Sequence, residues 1–109
     1  MKEELQDLID LLHERKCSCV LRNGEIYTFE RRGVEDLYDL LREQPGLLLG
    51  ADVADKVVGK GAAALMVLGR VRRVYADVLS EPAYGLLFQT GISVSYGRLV
   101  SAIRNRAGN

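Results

Sequence analysis

Proline is scarce in this sequence, with two residues, and neither sign of charge is in excess: fifteen basic residues balance fifteen acidic ones. With 48% apolar and 28% charged residues beside so few prolines, disordered and proline-rich linker classes are excluded. The charge balance removes the global basic excess of a dedicated binder of nucleic acid or anionic membranes, so neither is expected as a partner. No charge-free run approaches the roughly 20 residues that cross a bilayer. The start M-K-E-E-L-Q-D-L-I-D lacks the apolar stretch and small-residue site of a secretion signal, and a cytoplasmic location is expected. At 109 residues the chain suits one domain, spanning 1–109. Folding a chain of this size hides roughly two-thirds of the surface its unfolded form exposes.

The standard chemical motifs are missing too. Cys17 and Cys19 are not a C-x-x-C pair. In a strand-like stretch both would point the same way, which disfavours a mutual disulfide and predicts buried or idle thiols. One histidine and two thiols on a hairpin cannot supply a zinc site of ordinary spacing, so no metal is expected. His13 lies near the end of a helical stretch, where it complements the negative end of the helix dipole. There is no G-x-x-x-x-G-K-[ST], and neither Ser93 nor Ser95 has a nearby histidine to make a nucleophilic pair.

What is present is a strong alternation of patterns. Leu5, Leu8, Ile9 and Leu12 repeat at helical spacing and predict an amphipathic helix over residues 3–15. C-S-C-V-L-R and E-I-Y-T-F-E-R flank Asn23-Gly24, a dipeptide suited to the two positive φ angles of a tight hairpin. Val34, Leu37, Tyr38 and Leu41 predict a second helix, ended by Gln44-Pro45-Gly46. The apolar run L-L-L-G-A-D-V, residues 47–53, reads as a central buried strand. Residues 57–69 are apolar or small everywhere except Lys60, the pattern of a helix buried nearly all round. Gly59, Gly61 and the three alanines after it would let that helix approach a neighbour closely. Residues 74–79 read as another buried strand, followed by a helix that Ser80-Glu81-Pro82 starts and Gly91 ends. Residues 92–95 form a short strand, and Leu99, Val100 and Ile103 mark a last helix. This order predicts a mixed five-stranded sheet covered on both faces, a three-layer α/β/α sandwich.

In such sheets ligands collect beyond the carboxyl ends of the strands, where helix amino termini aim unpaired N–H groups. If the two middle strands are adjacent, Asp52, Asp55, Lys56, Lys60, Ser80, Glu81 and Tyr84 share one rim. Helix capping accounts for Asp55, Ser80 and Glu81 without any ligand. Lys60 resists that account, because a buried ammonium needs a carboxylate, an anion or water. It either snorkels to the rim, pairs with Asp52, Asp55 or Glu81, or contacts a ligand. Charge is also unequal along the chain: residues 1–55 hold 13 acids and 7 bases, residues 56–109 hold 2 and 8. A dipolar surface and an anion site built from the second half both fit that asymmetry.

The segments V-A-D-K-V-V-G-K-G-A-A-A-L, V-Y-A-D-V-L-S-E-P-A and V-S-Y-G-R-L-V resemble a family of small prokaryotic domains of unknown function with a cytidine-deaminase-like fold. The resemblance runs along nearly the whole chain and implies the same three-layer sandwich. Zinc deaminases open one helix with His or Cys and a catalytic Glu, and the next with P-C-x-x-C. Here Lys56 or Lys60 stands near the Glu position, and Pro82-Ala83-Tyr84-Gly85-Leu86 replaces the cysteine motif. Neither zinc nor cytidine deamination is therefore expected, and no cofactor is called for. The leading expectation is a metal-free pocket for a small anionic or nucleotide-like ligand at two helix starts. The alternatives are a non-zinc enzyme using Lys60, with Asp55 and Glu81 orienting it, and a self-associating structural module.

Overall fold

The computed structural model describes residues 5–31 and 34–103. The elements run α1 (Leu5–Glu14), β1 (Cys19–Asn23), β2 (Glu25–Phe29), α2 (Glu35–Glu43), α3 (Pro45–Leu48), β3 (Asp52–Val58), α4 (Lys60–Gly69), β4 (Arg73–Ser80), α5 (Glu81–Gln89) and β5 (Ser93–Val100). One sheet has the order β2-β1-β3-β4-β5. The β2-β1-β3 side is antiparallel, and the β3-β4-β5 side is parallel because α4 and α5 return the chain to the same end. The sandwich is thus α/β/α with a mixed five-stranded sheet, as the order of patterns predicts.

The two faces are unequal. On one, Leu8 and Leu12 of α1 pack with Cys17, Val20 and Ala54, and Tyr75 closes the edge of this small cluster. On the other, α2, α3, α4 and α5 cover the main core, built on Leu21, Val53, Val58, Val74, Ala76 and Leu79 from the sheet and Leu37, Leu48, Met66 and Leu87 from the helices. Among the described residues no helix is long and apolar enough to cross a membrane.

Several expectations need correcting. The predicted two-residue hairpin turn has only one positive φ, +77° at Gly24, since Asn23 pairs with Glu25 within the ladder. Asn23 instead uses its side chain: Nδ2 donates to the carbonyls of Gly46, Leu47 and Leu49 at 3.0–3.2 Å, tying the hairpin to α3. The run expected to be a strand from residue 47 begins as a helical turn, because Pro45 has the φ that starts one. Leu49 is exposed, and β3 starts only at Asp52.

The next helix starts at Lys60 rather than residue 57, since Val57 and Val58 stay in the ladder with Val78 and Leu79. It is not buried all round: Leu68 is 66% exposed and Lys60 faces solvent. The close approach that requires glycine is at its far end, where a Cβ on Gly69 would lie 2.7 Å from Leu48 Cδ1; Gly59 and Gly61 meet nothing nearer than 3.5 Å. Leu99 and Val100 are not helical, because β5 pairs with β4 as far as Ser80↔Val100, and Ile103 lies beyond any element. Cys17 precedes the ladder, so strand alternation does not apply to it: Cys17 joins the α1 face and Cys19 the opposite core. Both thiols are free and buried.

Candidate functional site

Parallel pairing of β3 and β4, with Val58 opposite Leu79, sets the starts of α4 and α5 side by side at one end of the sheet. At α5 the Ser80 hydroxyl accepts a hydrogen bond from the Ala83 amide at 3.1 Å, Pro82 occupies the first turn and Glu81 adds a carboxylate beside the dipole. Ser80 is buried and Glu81 exposed. At α4 the capping position is Gly59, which has no side chain to accept from the first-turn amides. No side chain among the described residues caps that start, and the Ile103 side chain lies against Gly59. Lys60 is the first residue of that helix, and Lys56 lies four residues earlier on β3; both are exposed. Among the described residues neither lysine makes an ion pair, so of the alternatives open for Lys60 the pairing with Asp52, Asp55 or Glu81 is not formed.

Asp55 is neither a helix cap nor a rim group in the expected sense. It is a buried β3 residue directly across the ladder from Cys19. Burial pushes its carboxyl up to about 7, while hydrogen bonds from the Val57 and Lys56 amides and the Cys19 thiol act the other way, and Asp36 on α2 adds to the rise. The Val57 amide lies 3.3 Å from Asp55 Oδ1. The Cys19 thiol is itself pushed well up, first by burial and then by the charge of Asp55. Cys19 and Asp36 were missed as members of this cluster, because only the β1–β3 pairing brings the first to Asp55.

Asp52 does not belong to the rim. β3 begins there, so its carboxylate lies at the opposite end of the sheet, held by Arg22, Arg72 and Arg73. Tyr84 is committed to an aromatic cluster, stacked on Phe88 at 5.7 Å and edge-on to Tyr96 at 6.0 Å. On the α1 face His13 Nε2 lies 2.7 Å from Asp77 Oδ1, which also accepts the Tyr75 hydroxyl at 2.7 Å. Burial and Asp77 together push that phenol up to about 12.

The zinc of the deaminase-like fold has no fitting donor set here. The two helix starts offer an ammonium, a glycine, a hydroxyl already used as a cap and the carboxylate of Glu81, and a single carboxylate is too few donors for a zinc site. Among the described residues no three His, Cys, Asp or Glu side chains are grouped to hold a metal ion.

Solved structures share this architecture. A DUF1893 family protein (TM1506) from Thermotoga maritima superposes with a TM-score of 0.84 at 24% identity, covering 100% of this chain and 76% of that one. RibD from Acinetobacter baumannii superposes with a TM-score of 0.55 at 16% identity, covering 85% of this chain and 34% of that one. At such identities both report the fold, which is the cytidine-deaminase-like sandwich. No curated protein matches the chain. Residues 7–109 match the model described as TM1506, Domain of unknown function (DUF1893), and with nearly its whole length inside that match the chain belongs to the DUF1893 family.

Proposed function

We propose that this chain is a binding domain for a small anionic, nucleotide-like molecule, held without a metal at the paired starts of α4 and α5. The observation that carries this reading is the uncapped start of α4, flanked by the exposed Lys60 and Lys56 and adjacent to α5 across a parallel strand pair. Helix-start amides without a side-chain cap and a nearby ammonium both favour an anion. Lys60 supplies charge, the α4 amides supply hydrogen bonds, and Ser80 and Glu81 shape the adjoining α5 start. A thermal-shift screen of nucleotides and phosphorylated metabolites tests the proposal. Stabilisation by at least one anion, lost in Lys60→Ala, is expected; a screen in which no anion stabilises the protein overturns it.

Self-association is a second reading, favoured by the apolar surface of α5 and β5. Phe88 is 64% exposed, Tyr96 and Leu99 are also exposed, and among the described residues β5 is an edge strand of the sheet. Light scattering at high concentration and low salt decides it: a strictly monomeric species rules it out.

A further inference from the structure

The end of the sheet opposite the α4 and α5 starts carries a second concentration of positive charge. Asp52 sits opposite Arg22 in the antiparallel ladder and opposite Arg73 in the parallel one, and Arg72 immediately precedes β4. Strand register alone thus gathers three guanidinium groups around one buried carboxylate. Arg73 contacts it through Nε at 2.9 Å and Nη2 at 2.7 Å, and Arg22 through Nη2 at 3.3 Å. Arg72 places Nε 3.2 Å from Oδ1 and Nη2 2.9 Å from Oδ2.

These arginines differ in surroundings. Arg22 is buried in the sheet, whereas the Arg72 side chain is 53% exposed although two of its nitrogens are fixed on Asp52. A guanidinium held in this way is oriented before any ligand arrives, so it loses little rotamer freedom on binding. Beside it an open cleft of about 260 Å³ is lined, among the described residues, by Arg72, Arg73, Gly91 and Ser93: two cations, one hydroxyl and one residue without a side chain. The β5 end of this wall is tied to the arginines, since the Ser93 amide donates to the Arg72 carbonyl at 3.2 Å.

We propose that this cleft is a second anion site, taking inorganic phosphate or the phosphate group of a small phosphomonoester between Arg72, Arg73 and the Ser93 hydroxyl. Guanidinium charge favours a phosphate, and Asp52, which takes Nε and Nη2 of both arginines, fixes their orientation from behind. The site is separate from the α4 and α5 starts and does not depend on them.

Titration of the isotope-labelled full chain with inorganic phosphate, followed by amide and arginine side-chain NMR with chloride as control, tests the assignment. Saturable shifts are expected at Gly91, Ser93, Arg72 and Arg73. Arg72→Gln should weaken phosphate binding, read from the shifts at Gly91 and Ser93, about tenfold by removing one guanidinium. Ser93→Asp, an exposed substitution that sets a competing carboxylate in the cleft, should weaken it as well and serves if Arg72→Gln does not fold. Absence of saturable shifts, shifts confined to the α4 and α5 starts, or unchanged affinity in the folded variants overturns the proposal. A Lys60-dependent response to nucleotides alone would support the first site and exclude this one.

Discussion

Cys19 and Asp55 face each other across the β1–β3 ladder, and the buried thiol donates a hydrogen bond to the buried carboxylate. The bond favours the ionised carboxylate of Asp55 but disfavours the thiolate of Cys19. Neither is accessible enough to be a surface nucleophile, and both lie on the face that α2 and α4 cover. The pair links the sheet interior to the strand that ends at the start of α4.

The first consequence concerns pH and stability. The folded carboxyl of Asp55 titrates near 7, above its ordinary 3.8, so the folded protein binds a proton that the unfolded chain releases earlier. Its contribution is full below about pH 4 and is lost as pH rises to about 7. The loss is on the order of 4 kcal/mol at most. Asp55→Asn should unfold at higher urea than the parent protein at pH 8, with the advantage shrinking toward pH 4. Equal differences at both pH values would contradict this origin.

The thiols should be slow to react. Cys17 and Cys19 are both buried, and burial with the Asp55 charge holds Cys19 in its neutral form. Because the thiolate is the reactive species, alkylation of the native protein at pH 8 should leave both cysteines unmodified on the timescale that labels the urea-unfolded chain fully. Mass spectrometry after timed quenching reads this directly.

Gly69→Ala should destabilise the protein. Its Cβ would fall 2.7 Å from Leu48 Cδ1 and 2.8 Å from Leu48 Cβ, and Leu48 is fully buried at the α3–α4 contact. Displacing a packed side chain costs about 1–3 kcal/mol, visible as a lower urea midpoint with the slope unchanged. Gly61→Ala, where a Cβ finds Val34 at 3.8 Å, should be neutral or mildly stabilising.

Arg70→Gly should stabilise it. Arg70 ends α4 in the left-handed region, φ 63° and ψ 47°, the conformation that glycine adopts without a Cβ clash. The residue is exposed and its side chain makes no ion pair among the described residues, so a gain of about 1 kcal/mol is expected. Thermal unfolding at neutral pH would register it as an increase of a few degrees.

Local patterns made much of the scaffold legible. The stripe of Leu5, Leu8 and Leu12, the hairpin at Gly24, the Ser80 cap and the alternation of strands with helices all appear where short-range physics places them. The pairing of the α4 and α5 starts followed as well, once β3 and β4 were taken as neighbours. Asp52 shows where such reasoning fails. Starting the strand at residue 47 moved Asp52 to its carboxyl end, whereas one turn begun by Pro45 delays the strand until Asp52 opens it.

The sequence by itself determined which segments are amphipathic, which turn needs positive φ and which hydroxyl caps a helix, because these depend on neighbours within a few residues. Tertiary structure decided the rest. Pairing with β4 makes a strand of Leu99 and Val100, and the antiparallel β1–β3 register joins Cys19 to Asp55. The same registers gather Arg22 and Arg73 on Asp52, while Lys60, the first residue of α4, is left in solvent. Each outcome depends on partners tens of residues away, whose proximity is created only when the sheet assembles and buries the faces that no local pattern can assign to one another.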